Sequence, residues 1–135
     1  MRKLRVYVAG AWVDAARLAG VRQQLQEIGL EVTSQWIDLA LGGRPYTIDQ
    51  PGMLKEARRD YGDIDKADFL IIDTFGASKG GREWEGGYAI GRGKRVMRVG
   101  PAITPFHELP LTFDGWAAAI AYLTTSMEHA DVRQN

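Results

Sequence analysis

Cysteine is absent from the 135 residues, and histidine occurs only twice, at His107 and His129. The first absence excludes disulfides and thiolate metal sites, and the second leaves no pair of imidazoles at ligand spacing. Charge of one sign is also lacking. Seventeen Lys and Arg stand against seventeen Asp and Glu, so no global field draws the chain toward nucleic acid or an acidic membrane. No block of like charges is long enough to act as a tail. Long apolar runs are missing too. The stretch after Arg2-Lys3 is broken at Gly10 and Asp14, which fits neither a signal peptide nor a membrane span. The expectation is a cytoplasmic protein with no metal or other cofactor and with neither nucleic acid nor membrane as partner. Without repeat, low-complexity segment or linker, residues 1–135 read as one domain, large enough to bury about two-thirds of its unfolded surface.

What is present is an alternation of apolar strands and amphipathic helices. Leu4–Ala9 reads as a first strand turning at Gly10. Ala15–Ile28 carries Leu18, Val21, Leu25 and Ile28 at helical spacing, and Gly29 ends it. Leu30–Trp36 alternates as a second strand, and Asp38–Gln50 reads as a loop. A helix follows from Pro51 to about Tyr61, then a polar turn over Asp63–Asp68. Ala67–Asp73 and Arg95–Val99 read as buried strands, with a glycine-rich loop and a short helix between them. Leu111–Phe113 is a last strand. A final helix runs from Gly115 to about Met127, with fraying from Asp131 to Asn135. Strands alternating with helices predict an α/β fold with a parallel sheet and right-handed crossovers. Five strands predict a flavodoxin-like three-layer sandwich of order 2-1-3-4-5, its crevice lying between the first strand and Ala67–Asp73.

The chemistry-bearing residues gather around that crevice. Glu83 and Glu85 fall in what reads as the first turn of the short helix, beside the pair Gly86-Gly87. A double glycine costs about 1 kcal/mol per residue in a helix interior, which suggests that a backbone passes close by. Glu85 then has two readings, a nucleophile or general base, or an acid favoured by the helix dipole. Ser78, Lys79, Gly80 and Gly81 precede the helix and are suited to an anion such as phosphate, although no nucleotide-loop motif is present. Among Asp60, Asp63, Asp65 and Asp68, one facing the crevice would serve as a general acid. Trp12 and Trp36, after strand ends, are either core residues or faces on which a base or sugar stacks, and Tyr7, mid-strand, is a core residue whose hydroxyl needs a partner if buried.

Taken together, three segments resemble the nucleoside 2-deoxyribosyltransferase family and its nucleotide N-glycosidase relatives. They are Val6-Tyr-Val-Ala-Gly-Ala-Trp12, the Asp-rich Arg59–Asp68, and Gly80-Gly-Arg-Glu-Trp-Glu-Gly-Gly-Tyr-Ala89 with Gly93-Lys94. Gly100-Pro101 and Phe106-His107 are similar to compact members of the family. The resemblance implies Glu85 as nucleophile, Tyr7 as the residue that orients it, and Asp60 as the group that helps protonate the leaving base. It also implies a nucleoside or nucleotide substrate and a homo-oligomer. The position six residues before the nucleophile, an aspartate in transferases acting on free nucleosides, is Lys79 here, beside Ser78. That departure points toward a 5′-monophosphate. Transfer to a second base, hydrolysis of a nucleoside monophosphate, and a non-catalytic nucleotide-binding module all remain open at this level.

Overall fold

The computed structural model describes residues 2–46 and 49–134, with side chains described as far as residue 129. Five parallel strands form one sheet: β1 (Arg5–Ala9), β2 (Glu31–Val32), β3 (Phe69–Asp73), β4 (Arg95–Val99) and β5 (Leu111–Phe113). Their order is β2-β1-β3-β4-β5, as the alternation of elements predicts. Val6 pairs with Phe69 and Ala9 with Ile72; Phe69 pairs with Arg95 and Asp73 with Val99. All five residues of β3 and four of the five in β1 are buried, because helices cover both faces of a parallel sheet. The helices are α1 (Ala15–Glu27), α2 (Trp36–Leu41), α3 (Gln50–Lys66), α4 (Gly81–Gly91) and α5 (Trp116–Gln134). α1 packs against α2 and α5, whereas α3 packs against α4, which lies on β1, β3 and β4. This is the three-layer sandwich.

The boundaries differ from the sequence reading in instructive ways. The second strand spans only Glu31–Val32, and Trp36 opens a helix where the alternating pattern predicts strand. Asp63 is the cause. Its carboxylate accepts from the Gln35 backbone N–H (3.1 Å) and from Gln35 Nε2 (2.7 Å), and its carbonyl accepts from Thr33 Oγ1 (2.9 Å). These bonds turn the chain out of the sheet. Part of the expected loop is therefore the helix α2. α3 begins at Gln50 and continues to Lys66, so Asp63 and Asp65 are helical and lie in no turn. β3 starts at Phe69, two residues later than expected. Asp68, just before it, accepts from the Arg5 N–H (2.8 Å) and from Arg2, joining the start of β1 to that of β3. α5 continues helical to Gln134, past the expected fraying at Asp131, while Asn135 lies outside the described residues.

Gly86 and Gly87 do not mark a close approach. A Cβ on Gly86 would stand 3.9 Å from Ile72 Cδ1, an ordinary contact, and one on Gly87 would meet open space. The crowded glycines are in the crevice loops instead. A Cβ on Gly76, after β3, would fall 1.8 Å from Asp14 Oδ2. A Cβ there would displace the Asp14 carboxylate, so the backbone after β3 lies directly against a side chain from the segment after β1.

Candidate active site

The carboxyl ends of β1 and β3, the start of α4 and one face of α3 enclose a cavity of about 360 Å³. Tyr7 is fully buried in β1, and its hydroxyl donates to Glu85 Oε2. Glu85 lines the cavity from α4, and Asp60 lines it from α3. The structure thus brings together three residues that lie 25 to 78 positions apart in sequence. Only Glu83 lies in the first turn of α4, which starts at Gly81; Glu85 is in the second turn. The dipole argument, which falls off within the first turn, therefore accounts for Glu83 and not for Glu85.

The Glu85 and Asp60 carboxyls are both shifted upward. Glu85 rises to about 8, first because burial penalises its charge and then because Asp60 repels it, with the Tyr7 hydrogen bond opposing. Asp60 rises to about 6, again chiefly by burial, against the pull of the Arg59 guanidinium 3.2 Å away. Burial and the Glu85 charge push the Tyr7 hydroxyl well above its ordinary range, so it remains a donor. Between about pH 6 and about pH 8 the pair holds one proton and one negative charge. The higher value is that of Glu85, so in the empty cavity the proton rests chiefly there, and the Tyr7 hydroxyl, as a donor, assists the arrangement with the charge on Glu85 and the proton on Asp60.

One wall is aromatic. Trp12 and Trp36 stack with centroids 6.1 Å apart and planes 29° apart. Trp36 is buried, its indole N–H donating to the Val8 carbonyl (2.9 Å), and Trp12 Nε1 donates to the Arg44 carbonyl (3.2 Å). Tyr46 meets Trp12 edge-on at 6.0 Å. Tyr46, Met53, Glu56 and Ala57 also line the cavity, and none stands out in the sequence. Met53, Glu56, Ala57 and Asp60 form an i, i+3, i+4, i+7 row, which is the one signal that could have shown them on a single helical face. Trp84, one residue from Glu85 on α4, points away from this wall. It is 75% exposed and sits instead by Tyr61 and Tyr88, whose rings stack at 4.0 Å.

Of the loop candidates, Ser78, Lys79 and Gly81 border the cavity, whereas Gly80 is the helix N-cap with φ +100° and is not part of the wall. The Gly80 N–H donates to Ser78 Oγ (3.1 Å), so the serine is engaged in closing the loop. Lys79 Nζ lies over the Tyr46 ring, 5.2 Å from its centroid. The first intrahelical bonds run from Glu83 and Trp84 N–H to the Gly80 carbonyl, leaving the Gly81 and Arg82 amides ahead of the hydrogen-bonded ladder.

A buried lattice holds α4 in place. Arg82 donates to the Asp73 carbonyl (3.3 Å), the Gly76 carbonyl and Glu83 Oε1 (2.8 Å). His107 Nδ1 accepts the Ile103 N–H (2.9 Å), so Nε2 carries the hydrogen and donates to Glu83 at 3.2 Å. Burial works to raise Glu83, but the hydrogen bond and charge of Arg82 outweigh it and hold the carboxylate below its ordinary value. Asp73, fully buried at the end of β3, is taken up by Arg17 (2.8 Å), the Trp116 indole (2.7 Å) and the Phe75 N–H (3.1 Å). Asp63 and Asp68 are likewise occupied by backbone donors, and Asp65 bonds to Tyr88 and Arg92 on the surface. Asp60 is thus the one member of the aspartate series that faces the cavity. Among the described residues no group of three or more His, Asp or Glu is placed to hold a metal, and no helix is long and apolar enough to cross a membrane.

By sequence the chain matches no protein-family profile and no curated protein. By structure it is similar to the 2-deoxyribosyltransferase of Bacillus psychrosaccharolyticus, with a TM-score of 0.69 and 19% identity over 86% of this chain and 90% of that one. It is also similar to the CMP N-glycosidase of Clostridium botulinum, with a TM-score of 0.56 and 19% identity over 88% and 97%. These are the two kinds of protein that the sequence segments resemble. The chain has the fold of a 2-deoxyribosyltransferase and of a nucleotide N-glycosidase.

Proposed function

We propose that this protein is an enzyme that cleaves the N-glycosidic bond of a (deoxy)nucleoside through a covalent glycosyl-enzyme, with transfer of the deoxyribosyl group to a second base. One arrangement carries the proposal: a carboxyl held by a buried tyrosine hydroxyl, facing a cavity that a second carboxyl shares, with a single proton between the two near neutral pH. Glu85 Oε attacks the anomeric carbon as the C–N bond breaks. The bonding pair leaves on the base, which takes the Asp60 proton. Tyr7 keeps the attacking oxygen aimed. The cavity's aromatic wall offers a face on which a base can stack. A second base then attacks the anomeric carbon from the vacated side, the C–O bond to Glu85 breaks with its pair returning to the carboxylate, and Asp60 takes the proton that the incoming base sheds. Water in that place gives hydrolysis. Two displacements retain configuration in either case.

Glu85→Gln should be inactive, since an amide is no nucleophile, and a slow 2-fluoro-arabino substrate should leave a sugar adduct on Glu85 in the mass spectrum. The fold should survive. Because the folded state holds the Glu85 proton more tightly than the unfolded chain, wild-type stability falls as pH rises from about 4.5 to about 8, by up to about 1.4 kcal/mol per pH unit. Glu85→Gln lacks that loss and should melt above wild type at pH 8. Tyr7→Phe should cost less activity than Glu85→Gln, as it removes one hydrogen bond and leaves the nucleophile. Turnover by a folded Glu85→Gln, or an adduct on Glu83, would sink the assignment.

A second reading, hydrolysis of a nucleoside 5′-monophosphate, is favoured by the cation Lys79 and the amide of Gly81 on the cavity rim. It differs from the first in acceptor and in the group on the 5′ carbon, and the same residues serve both.

A further inference from the structure

The cavity face of α3 carries two carboxyls. Glu56 and Asp60 stand at i and i+4, about 6 Å apart along the axis, which is the scale of a single heterocycle. Arg59 bridges them, Nη2 lying 2.7 Å from Glu56 Oε1 and 3.2 Å from Asp60 Oδ1. The other Glu56 oxygen is paired with Arg44. A carboxylate between two guanidiniums accepts hydrogen bonds and donates none, and its side chain here is only 14% exposed. Each carboxylate oxygen has two acceptor positions, so both keep capacity toward the cavity. The mechanism makes no use of Glu56. Yet it borders the same space, one turn from the residue assigned to protonate the base and beside Met53 and Ala57, and its partner Arg44 lies over the Trp12 ring of the aromatic wall.

We propose that Glu56 reads the edge of the leaving base and selects bases that present an exocyclic amine there, cytosine and adenine, over those that present a carbonyl, uracil and hypoxanthine. This rests on the glycosidic reading of the site. An amine donates to Glu56 while Asp60 delivers its proton to another acceptor of the same base. A carbonyl would set two acceptors against each other in a poorly hydrated place, with neither able to turn into a donor. Arg59 makes the two contacts interdependent, since it fixes the separation of both carboxyls. Selection thus follows from where the pair sits, and the stacking wall need not distinguish the bases.

The test is kcat/KM on the 2′-deoxynucleosides and their 5′-monophosphates of cytosine, uracil, adenine and hypoxanthine, for wild type and Glu56→Gln. Wild type should favour cytosine over uracil and adenine over hypoxanthine by about 10- to 100-fold, the worth of one hydrogen bond to a charged group. Glu56→Gln should cut both ratios at least severalfold, because an amide can turn its NH₂ toward a carbonyl. Glu56→Asp, which keeps an acceptor, should keep the direction of both preferences. Equal wild-type rates for amine and carbonyl bases overturn the proposal, and so do ratios that survive Glu56→Gln unchanged. The wild-type ratios decide the matter even where Glu56→Gln does not fold. Release of no base from any of the eight compounds would overturn the glycosidic reading itself, an outcome distinct from release without selection.

Discussion

At Glu85 and Asp60 burial works against charge, and the two carboxyls divide the consequence between them. Below about pH 6 both hold protons and no nucleophile exists; above about pH 8 both are ionised and no proton is at hand for the leaving base. kcat/KM for a nucleoside substrate should therefore follow a bell with limbs near these values. Asp60→Asn removes the proton donor and also the charge that helps raise Glu85. The alkaline limb should vanish, and activity should rise with pH through a single value below about 8. The loss at neutral pH should be greatest, about 10²- to 10⁴-fold, for bases that leave only when protonated, and smaller for activated leaving groups. A bell that persists in Asp60→Asn, or an equal loss for both types of leaving group, would mean that Asp60 does not supply the proton.

At the scale of the element, α4 is the part that decides which atoms face the cavity. Its start is set by Gly80 at φ +100° and by the Arg82 bonds to the Asp73 and Gly76 carbonyls. That start puts Glu85 toward Tyr7 and turns Trp84 outward. It also leaves Lys79 and the Gly81 amide at the rim. If the 5′ group rests there, a phosphate should be preferred over a hydroxyl, and the monophosphate should show the higher kcat/KM. Lys79→Asp should reverse that order, by repelling phosphate and offering an acceptor to a 5′-hydroxyl. Lys79 already rests over Tyr46, so its removal should not unfold the loop. Identical preferences in wild type and Lys79→Asp would rule out the rim as the 5′ site.

For the whole molecule, the exposed apolar surface is uneven. Ile103, Phe106 and Leu109, in the segment after β4, are 60 to 75% exposed, and Trp84 is 75% exposed. The His107–Glu83 bond joins that segment to the start of α4, so Phe106 and Trp84 flank a single junction. Large apolar side chains exposed on both sides of one junction suit a surface that is covered. We propose that a second copy of the chain covers it. Light scattering at micromolar concentration should give at least a dimer, and Trp84→Glu should shift the mass toward the monomer. An active wild-type monomer under those conditions would exclude it.

The hydrophobic pattern alone determined the class of fold. β1 and β3 read as buried strands because a parallel sheet is covered on both faces, and 2-1-3-4-5, the first choice for five alternating strands with right-handed crossovers, is the order observed. Glu85, Tyr7 and Asp60 came together in the sequence only through the resemblance of their three segments to one family, since each alone reads equally well as a capping acid, a core tyrosine or a solvated aspartate. Other features were set only by tertiary contacts. The alternating residues Leu30–Trp36 have the period of a strand, yet Asp63, some thirty residues on, captures Gln35 and ends the strand at Val32. Gly86 and Gly87 suggest crowding, yet the close approach is at Gly76, against a side chain on a different loop. Glu56, Arg44 and Tyr46 carry no local signature, since a charged residue on a helix or a tyrosine in a loop is ordinary until the fold brings it to a cavity. Local sequence encodes period and capping, which act over a few residues. Which carboxylate loses its water, and which finds a guanidinium, depends on partners that only the closed chain brings within reach.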